Sequence, residues 1–129
     1  EYSEIKSLKK FAGQITVEQF GLGRFIKDNP SVEDIEAARK GLKKVKTILS
    51  SGEHQVIILE EANVAVKLGL FSVQDLLDII ASKPENVELV ITGRSADSII
   101  IEKADLVTEM KEIKHYFQKG VAGRVGIEK

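Results

Sequence analysis

The 129-residue sequence predicts an α/β fold with three layers, in which helices cover both faces of a mainly parallel sheet. Two short apolar runs, at residues 56–59 and 87–91, consist almost entirely of Val, Ile and Leu. Strands have this composition when both of their faces are buried. A helical pattern separates the two runs, and strands that alternate with helices form parallel sheets through right-handed crossovers.

The first part of the chain contains one predicted strand and one predicted helix. Residues 14–20, QITVEQF, alternate apolar and polar side chains and predict a half-exposed strand. The glycine-bearing stretch that follows predicts a loop. Ser31 is an N-cap for a helix with acids in its first turn, and the apolar face of this helix continues to Gly52.

The second part of the chain continues the alternation of strand and helix. A strand at 55–60 precedes Ser72, which caps a helix that ends before Pro84. The remaining predicted elements are a strand at 87–91, a short helix at about 96–103 and a last strand at 104–110.

Composition limits the classes of protein that this sequence can represent. The length fits one domain, residues 1–129, and no apolar run approaches the roughly 20 residues of a membrane span. The sequence has no cysteine, and its N-terminus lacks the apolar core of a secretory signal, so we expect a cytoplasmic protein. Nineteen basic and twenty acidic side chains give a net charge of −1, which does not favour nucleic acid or anionic membranes as partners.

Charged and turn-forming residues follow both central strands, where ligands of parallel sheets bind. Glu60 and Glu61 end the first strand, and Thr92, Gly93 and Arg94 follow the second. We expect Glu61 and Arg94 to share one edge of the sheet. Carboxylates at such an edge provide the oxygen ligands that hard cations prefer. The alternatives are a solvated acid pair and a tight turn whose arginine pairs with a surface carboxylate.

Three stretches together resemble the C-terminal portion of the ATP:corrinoid adenosyltransferases of vitamin B12 assimilation. They are VIILEEANVAVKLGLFSVQDLLDIIASKPENVELVITGR at 56–94, ADLVTEMKEIKH at 104–115 and GVAGRVGIE at 120–128, and the resemblance covers about 21–129. It implies a P-loop NTPase-like fold and a homodimer. It also implies transfer of the 5′-deoxyadenosyl group of ATP to a Co(I) corrinoid, with Mg2+ or Mn2+ assisting and a reductase supplying electrons.

The same resemblance implies roles for individual residues. It implies metal binding by Glu60 and Glu61, catalytic roles for Phe25 and Arg94, and nucleotide binding by Glu61, Asn63, Thr92, Gly93, Arg94, Lys114, His115 and Arg124. Phe25 would be an apolar wedge that displaces the lower axial ligand of cobalt and so eases its reduction. The alternatives are a core anchor for Phe25, a local backbone bond for Asn63, an exposed side chain for His115 and a solvated tail around Arg124.

The sequence also departs from the family. No G-x-x-x-x-G-K-[ST] phosphate loop occurs in these 129 residues, so the N-terminal strands of the fold are missing. Glu60 stands where the family has Asp, and Tyr116 where it has Pro. We therefore expect weak or absent ATP binding and no turnover from this chain alone. Unpaired strand edges would be covered by a dimer, a swapped arrangement or a missing segment.

Two other classes of function stay open. One is a non-catalytic corrinoid-binding or oligomerisation module, which Glu60 and the absent phosphate loop favour. The other is a fragment of a DNA- or RNA-dependent ATPase, indicated only by the five basic and two acidic residues between 111 and 129. The sequence shows no aromatic and basic binding surface that would support the latter.

Overall fold

The structure, a computed structural model, describes residues 3–27 and 29–128. Its elements are α1 (Ser3–Leu8), α2 (Val32–Ser51), β1 (Val56–Leu59), α3 (Ala62–Lys67), α4 (Val73–Ala81), β2 (Glu88–Ile91) and α5 (Ser98–Lys103), with 3-10 helices at Lys9–Phe11 and Tyr116–Lys119. In this described part, no helix combines the length and the apolar composition that crossing a bilayer requires. Contacts divide the chain into two compact units, Phe20–Val107 and Glu1–Gln19 with Thr108–Lys129.

The sheet of the Phe20–Val107 unit is parallel. Strands β1 and β2 pair in a register that places Val56 beside Glu88 and Leu59 beside Ile91. Helices α3 and α4 lie between the two strands in the sequence. Because two parallel strands need a long crossover, this arrangement confirms the predicted α/β class and the parallel sheet.

Helices α2 and α4 begin at similar capping boxes. At α2, Asp34 N donates to Ser31 Oγ over 3.3 Å, and Ser31 N donates to an Asp34 carboxylate oxygen over 3.0 Å. At α4, Ser72 and Asp75 make the same two bonds over 3.1 and 2.8 Å. These bonds provide partners for backbone N–H groups at the helix start, which have no acceptor within the helix. Both predicted N-caps are confirmed.

The core lies between the helices and one face of the sheet. Two clusters of buried residues form it, Leu49, Ile57, Ile79 and Val87 in one and Ala62, Phe71, Leu76 and Ile100 in the other. Burying an aliphatic side chain of this size stabilises a fold by about 1.5–3 kcal/mol. On the opposite face of the sheet, Val56, Ile58 and Val90 are exposed, a face that the three-layer arrangement predicted from the sequence would also cover.

Two predicted strands are wrong. Residues 14–20 and 104–110 are irregular, and the strands of the described residues are β1 and β2 alone. An alternating pattern makes a strand only where a neighbouring strand pairs its backbone groups and an apolar face is buried. Neither condition holds at 104–110, where Leu106 and Met110 are 86% and 92% exposed. Helices α1 and α3 were not predicted from the sequence.

Candidate functional site

The segments that follow β1 and β2 are joined by backbone hydrogen bonds, and we call residues 60–63 and 92–95 the rim. Thr92 N donates to Leu59 O over 3.1 Å, which continues the ladder beyond β2. Asn63 N donates to Thr92 O over 3.2 Å, and Glu61 N donates to Thr92 Oγ1 over 3.0 Å. The two predicted segments therefore lie side by side at the carboxyl edge of the sheet.

Left-handed backbone is concentrated at the rim. Glu61 and Ser95 have φ values of 58° and 60°, and they are the non-glycine residues with positive φ among the described residues. Gly93 has φ +119°, and a Cβ atom there would lie 3.2 Å from Glu61 Cα and from Asn63 Cβ. Left-handed residues other than glycine are unfavourable and often occur at functional sites. Glycine is required at position 93 because the other segment packs directly against it.

Asn63 links the two segments of the rim. Its side chain is only 6% exposed, and its Nδ2 donates to Gly93 O across the two segments over 3.4 Å. The Asn63 Oδ1 atom is buried and has no hydrogen-bond partner. The bond across the rim differs from the local side-chain-to-backbone bond that the sequence left open, and it shows that this asparagine positions both segments.

The charged side chains at the rim point into solvent without ion-pair partners. Glu60, Glu61 and Arg94 are exposed, and none of their charged groups forms a hydrogen bond or an ion pair with another side chain within the described residues. Lys67, at the end of α3, donates from Nζ to Ser95 Oγ over 3.0 Å. Lys67 and Ser95 were missed because their proximity depends on α3, which the sequence analysis did not predict. The rim and the adjacent end of α3 thus combine two carboxylates with two cations.

The carboxylates at the rim fit a hard cation that is bound by water and substrate phosphates as well as by the protein. No group of three or more His, Cys, Asp and Glu residues within residues 3–27 and 29–128 could enclose a metal ion. The rim does offer the two adjacent carboxylates of Glu60 and Glu61 and no nitrogen or sulfur donor. Mg2+ is typically held by one or two carboxylates together with water and substrate phosphates. The residues therefore fit a shared ion, and not a protein-enclosed one.

Phe25 lies in the loop before α2, in the same compact unit as the rim. Its side chain is 88% exposed, so it is not the core anchor that the sequence left open as an alternative. Phe25 and Ile26 line a surface groove together with Ser31 and Asp34 at the start of α2. The neighbouring Arg24 bonds to both Ser31 and Asp34, a contact that was not predicted from the sequence.

Lys114, His115 and Arg124 belong to the other compact unit. Lys114 is exposed, and His115 caps the last 3-10 helix, where its Nδ1 accepts a bond from Phe117 N over 3.0 Å. Nε2 is therefore the ring atom left for another partner.

Arg124 is already paired within that unit. Its Nη2 lies 2.7 Å from Glu128 Oε1, and its guanidinium stands over the Tyr116 ring at 5.3 Å. The Arg124 and Tyr116 bonds hold the pKa of Glu128 down at about 2. Arg124 would have to leave these partners before it could bind a phosphate.

Fold and rim together define an α/β protein whose candidate site lies at the carboxyl edge of a parallel sheet. The family model ATP:corrinoid adenosyltransferase BtuR/CobO/CobP matches residues 1–128. The chain belongs to this family.

Three relatives illustrate the similarity. A corrinoid adenosyltransferase of Sinorhizobium sp is 34% identical over 96 residues, which cover 74% of this chain and 45% of the relative. One of Pseudomonas aeruginosa is 30% identical over 120 residues, covering 93% and 59%. One of Escherichia coli K12 is 27% identical over 95 residues, covering 74% and 48%. The chain spans about half the length of these relatives.

Proposed function

We propose that the complete protein transfers the 5′-deoxyadenosyl group of ATP to the Co(I) centre of a corrinoid. Family membership and the relatives named corrinoid adenosyltransferase support this activity. The observation that carries the proposal is the contact of Gly93 with Glu61, because it joins the acidic segment to the segment that bears Arg94. A nucleotide phosphate needs cations and a metal-binding carboxylate at one place.

In the proposed reaction, Co(I) attacks the ribose C5′ of ATP with its own electron pair. A cobalt–carbon bond forms, the C5′–oxygen bond breaks, and triphosphate leaves with the electrons of the broken bond. Cobalt is the nucleophile, so no side-chain nucleophile or general base is required. Catalysis then depends on positioning the reactants, on neutralising the charge of the triphosphate and on excluding water.

The rim residues and Lys67 would have separate roles in this reaction. Arg94 would pair with phosphate oxygens through its planar guanidinium, and Lys67 would add a second cation from the end of α3. Glu60 and Glu61 would hold Mg2+ or Mn2+, which neutralises charge on the leaving triphosphate when bound. Asn63, Thr92 and Gly93 would keep the two segments in register. The family resemblance alone implies nucleotide binding by Lys114, His115 and Arg124, which belong to the other compact unit.

Phe25 would act on the corrinoid. An exposed aromatic ring beside the corrin can occupy the position of the lower axial ligand of cobalt. Loss of that ligand eases the reduction of Co(II) to the Co(I) nucleophile. The family resemblance alone supports three further parts of the proposal, which are a homodimer, a reductase as electron donor and a location in the cytoplasm.

The test measures formation of the light-sensitive cobalt–carbon bond by absorbance, with ATP, Mg2+ and chemically reduced cobalamin. The complete protein should be active, and Arg94→Ala and Glu61→Gln should each lower kcat/KM by on the order of 100-fold. Glu88→Gln is the matched control, because Glu88 lies at the opposite end of the strand pair and is exposed. The 129 residues alone should bind ATP weakly or not at all and should show no turnover.

Equal activity of Arg94→Ala, Glu61→Gln and Glu88→Gln would contradict the proposed roles of the rim. Turnover by the 129-residue chain would contradict the expectation that this chain depends on a phosphate loop.

A second candidate function is a non-catalytic corrinoid-binding or oligomerisation module that has lost ATP binding. Glu60, in place of the family Asp, favours it. Calorimetry with ATP and with cobalamin in separate titrations distinguishes the two. Binding of cobalamin without any binding of ATP by the complete protein would favour the module over the enzyme.

A further inference from the structure

We infer that Arg24 is a positioning residue, which fixes loop Phe20–Lys27 on helix α2 so that Phe25 meets the corrinoid in one orientation. The identity of the ligand rests on the proposed function. The anchoring of the loop does not, because it follows from contacts within the chain.

Arg24 makes three hydrogen bonds to the start of α2. Its Nε donates to Asp34 Oδ1 over 3.3 Å, and its Nη2 donates to Asp34 Oδ2 over 3.0 Å and to Ser31 Oγ over 2.9 Å. The Asp34 side chain is only 8% exposed, so water competes poorly for its oxygens. A two-pronged contact between guanidinium and carboxylate fixes direction as well as distance. The residue next to Phe25 is therefore held in a defined orientation.

A second contact anchors the beginning of the same loop. A Cβ atom at Gly41, in the middle of α2, would lie 2.9 Å from Phe20 Cγ. The Phe20 ring therefore packs against the bare Cα of Gly41. A glycine inside a helix costs about 1 kcal/mol relative to alanine, and a close approach of this kind is a reason for its presence. The loop is thus attached to α2 on both sides of Gly23.

A comparison within the chain separates the role of Arg24 from helix capping. Helices α2 and α4 start with the similar sequences SVED and SVQD, and both have complete capping boxes. Asp75 completes its box without a hydrogen bond from an arginine. Its side chain bonds to Ser72, and Arg39 acts on it only through its charge. Capping therefore does not require the contact that Arg24 makes. The contact instead serves the loop that carries Phe25.

The anchoring explains how an exposed aromatic ring can act as a wedge. Phe25 is 88% exposed and packs against little of its own chain. A ring on a freely moving loop would have to be ordered when the corrinoid binds, and that ordering weakens binding. Two anchors on a 20-residue helix reduce this cost before the ligand arrives.

The first experiment measures anchoring alone. The sequence has no tryptophan, so Phe25→Trp introduces a single fluorescent reporter. Time-resolved anisotropy should show that Arg24→Gln and Asp34→Asn increase the amplitude of fast motion by about two- to threefold, the difference between rigid and flexible backbone. Asp75→Asn is the matched control, because it weakens an equivalent capping box far from the loop in sequence, and it should change nothing.

The second experiment measures the effect on the corrinoid in the complete protein with Phe25 intact. Electron paramagnetic resonance of bound Co(II) cobalamin shows splitting by the lower nitrogen ligand, and this splitting disappears when the ligand is displaced. Arg24→Gln should reduce the fraction of bound Co(II) cobalamin that lacks the nitrogen ligand by about tenfold. Misplacing an oriented group, here the Phe25 ring, has effects of at least this size. Arg24→Lys should restore part of it, and Asp75→Asn should match the unmodified protein.

The outcomes separate the inference from the proposed function. Equal anisotropy in Arg24→Gln and the unmodified reporter would overturn the anchoring. Increased motion with an unchanged cobalt spectrum would overturn the role of Arg24 toward the corrinoid. If the unmodified protein binds no cobalamin, the proposed function fails and the corrinoid part of the inference fails with it, while the anisotropy still decides whether Arg24 anchors the loop.

Discussion

The rim and the Phe25 loop are both irregular segments with candidate site residues, but different interactions hold them. The rim is held by backbone groups, by Thr92 Oγ1 and by the left-handed conformations of Glu61 and Gly93. The Phe25 loop is held by an ion pair between Arg24 and Asp34 and by a ring packed on a glycine. The rim should therefore keep its shape when its charges are removed, whereas the loop should not.

Gly93→Val should cause the largest loss of stability, because it breaks the rim at its closest contact. The new side chain would meet Glu61 Cα at 3.2 Å and would require a φ of +119°. We expect a loss of about 3 kcal/mol in the free energy of unfolding, from overpacking and backbone strain combined. Urea unfolding measures it. Gly69→Ala is the control, since φ is +72° there but the space is open, and it should cost only about 1 kcal/mol.

Gly41→Ala should have an effect whose sign depends on Phe20. With Phe20 present, the added methyl group overlaps the ring and should destabilise the protein by about 1–2 kcal/mol after the gain in helix propensity. In a Phe20→Ala background, the same change should stabilise it by about 1 kcal/mol. A double-mutant cycle in urea measures this coupling. Additive effects of the two changes would show that Phe20 does not anchor the loop on Gly41.

Ser95→Gly should stabilise the rim. Ser95 has φ 60°, which is unfavourable for a residue with a Cβ atom and free for glycine, and its bond to Lys67 is exposed. We expect a gain of about 1 kcal/mol, reduced by the loss of that bond. Ser82→Gly provides the contrast, because Ser82 has φ −86° and should lose stability. A loss at both positions would mean that the Lys67 bond outweighs the backbone strain.

Acid should release the Phe25 loop with the smallest effect on overall stability. Bonds from Ser31 N and from the Arg24 guanidinium hold the pKa of Asp34 below its usual 3.8. Because folding lowers the pKa of Asp34, its ionised carboxylate stabilises the folded protein above pH 3.8. This stabilisation is lost as the pH falls through the pKa of the folded state. The anisotropy of the Phe25→Trp reporter should therefore decrease only below pH 3.8, and Asp34→Asn should remove this transition while Asp75→Asn keeps it.

The sequence predicted those parts of the fold whose cause is local or strongly periodic. Ser31 and Ser72 were predicted as N-caps, and α2 and α4 begin one residue after them. The apolar runs became β1 and β2 within one residue of the predicted bounds. The short helix predicted at about 96–103 begins at Ser98 because the Asp97 side chain accepts a bond from Ile99 N.

The two wrongly predicted strands have one cause. The alternation at 14–20 predicts a strand, yet a strand exists only where another strand pairs with it. The same holds for 104–110, whose apolar residues face solvent. For the candidate site, the residue types and their order along the chain were predictable. The partners Lys67 and Arg24 were not, because each lies at least seven residues from the group that it contacts.

By itself, the sequence determined the capped helices, the two apolar strands and the acidic and arginine-bearing segments that follow them. Each of these depends on residues within a few positions of one another. Only the tertiary structure decided that Gly93 lies against Glu61, that Asn63 spans the rim and that Arg24 ties the Phe25 loop to α2. Such contacts depend on the parallel register of β1 and β2 and on where a loop returns to a helix, and no local pattern encodes either.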